Sequence, residues 1–306
     1  MIQVTANNGM AEAAAVLSSH AGSYRRGVVG QYLLITPATA LLAFTLAAPL
    51  ALLVLYSFWA QRGLALDTHF TLAEYVAVLS RGIYRLVFFR SLAISVCATM
   101  IAVLLAYPVA WYIAFRAQAK FLWLLLVTIP FWTSYLLRVF AWKVILGFNG
   151  LINSGLIALH VISQPLALLL YNPGAVILTL THGYAAFAIL PIYLSLEKID
   201  VTLLEAAADL GDSPFRRFLR VTLPLSLPGV ISAFVLIFVP AMGDYVAPAL
   251  VGGANGQMIA NMIQLQFGRA DNWPLGAALA VTTILLIALI SVFAALGARA
   301  IVARIR

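Results

Sequence analysis

Long apolar runs, separated by short polar segments, dominate the pattern of hydrophobic and polar positions. A transmembrane helix needs about 20 apolar residues in succession, and six segments reach that length. The runs are continuous, whereas the strands of a transmembrane barrel alternate over segments of about ten residues. The pattern therefore predicts an all-α polytopic membrane protein with six transmembrane helices, at 31–59, 90–115, 121–146, 174–196, 226–251 and 275–302.

The composition agrees with this pattern. Of the 306 residues, 64% are hydrophobic and only 9% are charged, whereas soluble domains carry about 25% charged residues. A chain of this length cannot bury so much apolar surface in its own core, so much of the surface must face lipid. Cys97 is the single cysteine and lies in an apolar run, so no intrachain disulfide can form.

The net charge of +8 would suggest nucleic acid as a partner if the protein were soluble. In a membrane protein it indicates topology, because basic residues concentrate in cytoplasmic segments. With the N-terminus inside, eleven basic residues fall inside and five outside, which predicts that both termini are cytoplasmic and that residues 1–29 form a cytoplasmic tail. The inside set is Arg25, Arg26, Arg116, Lys120, Lys198, Arg216, Arg217, Arg220, Arg299, Arg304 and Arg306, and the outside set is Arg62, Arg81, Arg85, Arg90 and Arg269.

Two of the predicted outside loops are long enough to hold a short helix each. Residues 60–89 contain TLAEYVAVLSRGIYRLV, and residues 147–173 contain LINSGLIALHVI. Both loops could offer a surface to a partner outside the membrane.

A polar stretch, VTLLEAAADLGDSPFRRFLRVTLPLSLPGV at 201–230, interrupts the apolar runs on the inside. Thr202 and Glu205 have the spacing of a capping box at a helix start, and Gly211 suits a helix end because glycine adopts the left-handed conformation. Three alanines between them favour a helix of little bulk. The loop from 197 to 225, called the elbow below, is therefore predicted to begin with a short helix.

A second short helix is predicted to start with Ser213 as cap and Pro214 at the first helical position, and Pro224 and Pro228 are expected to end it. At 100° per residue its apolar and basic side chains separate, so it could anchor to the membrane face. The small residues of the first helix favour instead a docking element that stands off the membrane. The apolar side holds Phe215, Phe218, Leu219 and Val221, and the basic side holds Arg216, Arg217 and Arg220.

The elbow resembles the EAA loop of permeases from binding-protein-dependent ABC importers. The matching positions are Glu205, Ala206, Ala207, Gly211, Val221, Leu223 and Pro224. In that family the loop inserts into a cleft of a cytoplasmic ATPase and transmits its closure. The resemblance therefore implies coupling roles here for Glu205, Ala206, Ala207, Asp209, Gly211, Phe215 and Arg216.

Further stretches are similar to permease subunits of the spermidine/putrescine type. They read PFWTSYLLRVFAWKVILGFNGLIN, ILPIYLSLEKID, FVPAMGDYVAPALVGG and WPLGAALA. The resemblance implies the type I ABC importer permease fold over residues 30–306, a bacterial inner-membrane location and a small organic cation as solute. Related permeases carry other small solutes, so an amino-acid-like or opine-like solute is the alternative.

The chain lacks the G-x-x-x-x-G-K-[ST] loop that cradles nucleotide phosphates, since none of Lys120, Lys143 and Lys198 follows a glycine. ATP and Mg²⁺ are therefore expected on a separate ATPase, and no cofactor, metal or catalytic site is expected here. The implied partners are a second permease subunit, two ATPase subunits and an extracytoplasmic solute-binding protein, besides lipid. A secondary transporter is the alternative of another class, but half-to-half repeats are not evident.

Polar side chains inside the predicted spans mark a possible path. Asp244 lies four residues after Pro240, and Arg138 lies at a similar depth in the third span, about 26 Å from the inside at 1.5 Å per residue. The two could form a structural ion pair. Alternatively, Asp244 could meet a cationic solute, with cation–π faces from Trp132, Tyr135 and Tyr184. His182 is interpreted as a packed polar residue.

Overall fold

The computed structural model describes residues 36–63 and 65–305, without the side chains of 62, 298, 299 and 301–305. The predicted tail, 1–29, and the first residues of the first predicted span lie outside this range. The chain divides into two compact units, Met1–Leu55 and Tyr56–Arg306. Helix α1, Thr36–Tyr56, belongs to the first unit up to Leu55, and its 21 residues are predominantly apolar. At 1.5 Å per residue α1 measures about 31 Å, which matches the hydrocarbon core of a bilayer.

The second unit begins with a small hairpin that the sequence pattern did not predict. Strands β1, Ala60–Arg62, and β2, Ala65–Asp67, pair antiparallel with Gln61 opposite Leu66. Gly63 has a φ of +66°, the left-handed conformation that a tight turn requires. Helix α2, Ala73–Ser80, follows and confirms the short helix predicted in this loop.

Long helices make up most of the rest, and the described residues include six candidate membrane spans. Helix α3 begins at Gly82, eight residues before its predicted start, so the span of 34 residues extends well past the bilayer core. The remaining helices are α4 Lys120–Thr128, α5 Tyr135–Leu146, α6 Leu151–Ala158, α7 Pro173–Leu196, α8 Val201–Asp209, α9 Pro214–Arg217, α10 Leu223–Met242, α11 Val246–Val251, α12 Ile259–Gly268 and α13 Trp273–Ile305.

The predicted third span is not one helix. Helix α4 passes into a 3-10 turn, Ile129–Trp132, and α5 starts only at Tyr135. Pro130 lacks a backbone N–H, which weakens the helical ladder at this point, and the Thr133 hydroxyl donates to the Pro130 carbonyl at 2.6 Å. The continuous apolar candidate is instead Tyr135–Ala158, which joins α5 to α6. Helix α6 itself confirms the helix predicted in the second outside loop.

The fifth span also differs from the prediction. Pro224 and Pro228 do not end the preceding helix, because one continuous helical run extends from Pro214 to Met242. A π-helical segment, Phe218–Thr222, joins α9 to α10, and the Leu223 amide donates to the Phe218 carbonyl. This local shift in pairing accommodates the proline that follows it. The run breaks at 243–245 instead, before α11.

Helices α3, α7 and α10 form the tightly packed centre of the second unit. Small side chains at their contacts let the backbones approach closely, as is usual between membrane helices. The Tyr107 hydroxyl and the Ser226 hydroxyl are 2.8 Å apart and link α3 to α10. The buried contact residues include Ala102, Ala106 and Ala110 of α3, Ala188 and Ile192 of α7, and Ala233 and Ile237 of α10.

Gly229 marks the closest approach of α10 to α7. A Cβ at this position would lie 2.6 Å from the Pro191 carbonyl oxygen and would overlap the Ser195 side chain. We expect Gly229→Ala to destabilise the protein by about 1–3 kcal/mol, as overpacking of a core does. Thermal unfolding of the purified protein in detergent measures this change.

Gly297→Ala is the matched control, because Gly297 lies in α13 with open space around its Cβ direction. Alanine is also the better helix former there, so the unfolding temperature should stay or rise slightly. Equal effects of the two substitutions would contradict the close packing of α7 on α10.

Candidate functional site

The first helix of the elbow starts one residue before its predicted capping box. Helix α8 begins at Val201, and the Asp200 carboxylate caps it by accepting from the Thr202 amide at 3.0 Å. The predicted Thr202–Glu205 capping box is therefore wrong, because an acid two residues earlier takes the cap position. The hydrogen bond from the Thr202 amide, with one from its side chain, holds the pKa of Asp200 below its ordinary value.

The turn of the elbow follows the prediction closely. Gly211 has a φ of +85°, and a Schellman pair closes α8, with the Gly211 amide bonded to the Ala208 carbonyl and the Asp212 amide to the Ala207 carbonyl. Ser213 then caps α9 by accepting from the Arg216 amide, and Pro214 is the first helical residue. Sequence and structure agree here because these residues act locally.

Two arginines that follow the turn make contacts within the elbow, and their side chains point in different directions. Arg220 forms an ion pair with Asp212 at 3.0 Å and is exposed. Arg217 turns inward and donates to the Leu204 carbonyl at 3.5 Å. The predicted separation into a basic face and an apolar face is therefore wrong for Arg217, and also for Phe215, which is 69% exposed.

The free surface of the elbow is partly apolar. Ala207 is buried and anchors α8, while Leu210 is 88% exposed at the turn beside Phe215. Leu210 was not among the predicted coupling residues, although its position directly before Gly211 marks it as the tip of the turn. Six of the seven predicted coupling residues are exposed on this surface: Glu205, Ala206, Asp209, Gly211, Phe215 and Arg216.

Asp244 lies at the break between α10 and α11 and is only 6% exposed. One carboxylate oxygen, Oδ1, accepts from the Val246 amide at 2.7 Å and the Ala247 amide at 3.1 Å. The other, Oδ2, accepts from the hydroxyls of Tyr135 and, at 3.2 Å, Tyr184. The carboxylate thus satisfies the free amides of a helix start and joins α5 and α7 to the broken span.

Arg138 and Asp244 form no ion pair in the described structure, which rules out the first of the two predicted arrangements. The Arg138 guanidinium donates instead to the Gly183 carbonyl at 3.2 Å. It lies 4.8 Å from the Phe131 ring centroid and 5.7 Å from that of Tyr135. Its Nε atom is buried without a hydrogen-bond partner.

Aromatic rings surround this polar cluster. The rings of Tyr135 and Tyr184 stack at 5.7 Å, and Phe131 meets Phe187 edge-on at 4.8 Å. Phe131 and Phe187 were missed by the sequence reasoning, since single aromatic residues in apolar runs carry no distinguishing signal. Trp132 is 79% exposed and lies outside the cluster.

His182 packs against Trp142, with ring centroids 5.5 Å apart. This contact agrees with its interpretation as a packed polar residue. Among the residues that the structure describes, no group of three His, Cys, Asp or Glu side chains could hold a metal ion.

Two adjoining cavities follow the groove between α7 and α10. One, of about 730 Å³, begins beside Tyr184 and Phe187 and reaches Ser232. The other, of about 590 Å³, also touches Ser232 and continues past Ser195 to Asp200. Together they extend from the Asp244 cluster to the start of the elbow.

Removal of the Asp244 carboxylate should destabilise the protein more than its neutralisation. In Asp244→Ala the two tyrosine hydroxyls and two backbone amides lose their acceptor, at about 1–3 kcal/mol for each buried group left unpaired. In Asp244→Asn the amide oxygen can still cap α11 and the amide group can donate to the hydroxyl oxygens. Thermal unfolding in detergent should therefore rank wild type and Asp244→Asn close together and Asp244→Ala well below, and equal losses would contradict the four hydrogen bonds to this carboxylate.

The chain matches a known family over most of its length. The family described as binding-protein-dependent transport system inner membrane component matches residues 75–306. The spermidine/putrescine transport system permease protein PotB of Escherichia coli (strain K12) is 39% identical over 214 residues, covering 70% of this chain and 77% of PotB. PotB of Haemophilus influenzae is 40% identical over 214 residues, covering 69% and 74%. The inner membrane ABC transporter permease protein YdcU of Escherichia coli is 32% identical over 237 residues, covering 73% and 74%.

Solved structures show the same fold at low sequence identity. A chain of a bacterial ABC transporter that imports alginate superposes with a TM-score of 0.66 at 15% identity, covering 88% of this chain and 94% of that chain. A chain of the MetNI methionine ABC transporter superposes with a TM-score of 0.51 at 19% identity, covering 74% and 97%. The chain therefore belongs to the inner-membrane permeases of binding-protein-dependent ABC importers.

Proposed function

We propose that this permease subunit forms half of the path for a small organic cation such as spermidine or putrescine. The observation that carries the proposal is the buried Asp244 carboxylate, which accepts a hydrogen bond from Tyr184 at the head of the α7–α10 groove. A carboxylate inside a membrane span is costly and is generally retained for a function. The PotB relatives are permease proteins of spermidine/putrescine transport systems, which supports the same class of solute.

The groove offers a route from this carboxylate toward the elbow. Tyr184 and Phe187 line its first part and present aromatic faces, which attract cations. Ser232 and Ser195 lie along the second part, and Asp200 stands at its end. A cation released from Asp244 would thus meet hydroxyl groups and then the oppositely charged Lys198 and Asp200. The pathway residues in this proposal are Asp244, Tyr135 and Tyr184. Arg138 lies beside them, and Trp132 is proposed at the edge of the pathway.

ATP hydrolysis on a separate subunit would drive the transport. The elbow is proposed as the docking site, with Leu210 and Phe215 as exposed apolar contacts and Glu205 as a polar one. An apolar tip at the end of a polar loop is suited to insertion into a cleft, because its burial there is favourable. ATP and Mg²⁺ would bind the ATPase, so this chain is proposed to hold no cofactor and to catalyse no reaction.

The proposed assembly contains a second permease subunit, two ATPase subunits and an extracytoplasmic solute-binding protein. In this assembly the elbow and both termini face the cytoplasm, as the distribution of basic residues favours. Residues 1–29 form the proposed cytoplasmic tail and residues 30–306 the permease domain. The hairpin β1–β2, α2 and α6 would then lie on the side of the solute-binding protein.

Arg138 favours a second candidate solute. Its guanidinium has no acidic partner in the described structure, and its buried Nε has no hydrogen-bond acceptor. A solute that carries a carboxylate, such as an amino-acid-like or opine-like compound, could supply the missing acceptor. A polyamine has no carboxylate and could not supply this acceptor.

The substitution Asp244→Asn removes the negative charge of this side chain but keeps its ability to form hydrogen bonds. We expect Asp244→Asn to lower the rate of putrescine uptake by about tenfold or more, since a hydrogen bond to a charged group contributes about 1.5–3 kcal/mol. Assembly and thermal stability should change little. Uptake of labelled putrescine into proteoliposomes that contain the complete transporter measures the rate.

Asp271→Asn is the matched control, because Asp271 lies outside the spans at a φ of 48°, which asparagine tolerates. Its uptake should equal that of the wild type. Normal uptake by Asp244→Asn would contradict a cationic solute at this site. Two results together would favour the second candidate solute. The wild type would transport an amino acid but not putrescine, and Arg138→Gln would lose the amino-acid uptake.

Shortening the elbow side chains should uncouple the two activities. Glu205→Ala keeps α8 helical, because alanine is a strong helix former, but it removes the exposed carboxylate. We expect the ATPase activity stimulated by loaded binding protein to fall severalfold while basal activity and assembly persist. Thr202→Ala, exposed one turn earlier on α8, is the control. Full stimulation in Glu205→Ala would oppose the docking role.

A further inference from the structure

A third cavity, of about 1080 Å³, lies on another side of the elbow, between α3 and the start of α10. Its lining on α3 recurs every three or four residues, so it occupies one face of that helix. The lining is mostly apolar, and charged side chains occur only at its elbow end. On α3 the lining includes Met100, Leu104, Tyr107, Trp111 and Phe115, and Arg116 lines it at the C-cap of that helix.

The length of this groove matches one leaflet of a bilayer. From Met100 to Phe115 the α3 face extends about 22 Å at 1.5 Å per residue, while half of the hydrocarbon core is about 15 Å. The groove is therefore long enough to run from near the bilayer centre to the headgroup region. Leu104 is 73% exposed and Met100 is 57% exposed, so the groove is open along its side.

The elbow end of the groove carries two guanidinium groups and one carboxylate. Arg217 donates one N–H to the Leu204 carbonyl, and its buried Nε has no partner. Arg116 is exposed, and its side chain makes no ion pair within the described part of the chain. Glu205 also lines this end, so the charge balance there is one positive unit.

We infer that the groove binds one anionic phospholipid, with an acyl chain along α3 and the phosphate between Arg116 and Arg217. The apolar wall takes a hydrocarbon chain, and the guanidinium groups at its end, with the exposed Arg116 foremost, take a phosphate oxygen. Basic pockets between membrane helices bind anionic headgroups on the cytoplasmic side, where such lipids are concentrated. The assignment to the cytoplasmic leaflet rests on the orientation proposed above.

The bound lipid would touch the elbow directly. Arg217 contacts both the proposed phosphate and the α8 backbone, so the headgroup lies where α8 and the π-helical segment meet. Glu205 opposes the phosphate by its charge, which keeps the affinity moderate. The lipid thus supports the elbow from the membrane side and leaves its exposed tip free.

Native mass spectrometry of the complete transporter tests this site with two probes of equal chain length, phosphatidylglycerol and phosphatidylcholine. We expect the wild type to retain phosphatidylglycerol preferentially. Each of Arg116→Gln and Arg217→Gln should weaken that retention about fivefold, because one arginine near an anionic headgroup contributes about this factor. Arg220→Gln, which removes the same charge from the same helical run but outside the groove, should retain the lipid.

Leu104→Trp provides a test that leaves the charges and the elbow fold untouched. The larger side chain fills the groove, so both lipids should be lost together, and inorganic phosphate alone should not displace the wild-type lipid. Wild-type retention when Arg116→Gln and Arg217→Gln are combined in one chain, or equal loss in Arg220→Gln, would overturn the site. A photo-crosslinker at Leu104 should label lipid, and a crosslink to a protein chain would show that a helix covers the groove instead.

Lipid retention is measured without solute or ATP, so its result is independent of the proposed transport function. Retained lipid with failed putrescine uptake would contradict only the solute. Labelling of a cysteine at Leu210 from each side of the membrane tests the leaflet. Labelling of this cysteine from the extracytoplasmic side would overturn the leaflet assignment. The lipid site itself would still be tested by native mass spectrometry.

Discussion

The absence of water from the bilayer core is the constraint on which the rest of the structure depends, because every backbone polar group there needs a partner within the protein. Prolines lack the backbone N–H that this requirement involves, and local features accompany three of them, Pro130, Pro224 and Pro240. The Thr133 hydroxyl caps the carbonyl of Pro130, and the π-helical segment shifts the pairing before Pro224. At the break after Pro240 no backbone solution remains, and the Asp244 carboxylate supplies acceptors for the amides of α11.

Close packing of α3, α7 and α10 forms the centre of this unit, and grooves lie on its surface. Small residues such as Ala106 and Gly229 bring the three backbones together, and larger side chains such as Ile192 and Ile237 fill the centre between them. The α7–α10 groove below Tyr184 and the groove along α3 lie outside this centre. Both grooves end at the elbow, so one element adjoins the proposed solute route and the proposed lipid site.

The parts of the fold that depend on local chemistry could be predicted from the sequence. Ser213, Pro214 and Gly211 specify the elbow turn through their own backbone preferences, and the apolar runs specify the spans. The Thr202–Glu205 box failed because Asp200 competes for the same cap, which spacing alone does not reveal. The partners of Asp244 depend on how α5 and α7 pack, so the sequence left a structural ion pair and a pathway carboxylate as equal alternatives, and the structure excludes only the ion pair.

The fully bonded state of Asp244 limits how a solute can use it. Two backbone amides donate to Oδ1 of the carboxylate, and two tyrosine hydroxyls donate to Oδ2. A cation must therefore displace one of the hydroxyls or bind next to it. Displacement of Tyr135 would release its ring from Tyr184 and from the Arg138 guanidinium. Since Tyr135 lies on α5, loss of that hydrogen bond would also loosen α5 from the broken helix. Solute binding and helix movement would then be one event, which is what a coupled importer requires.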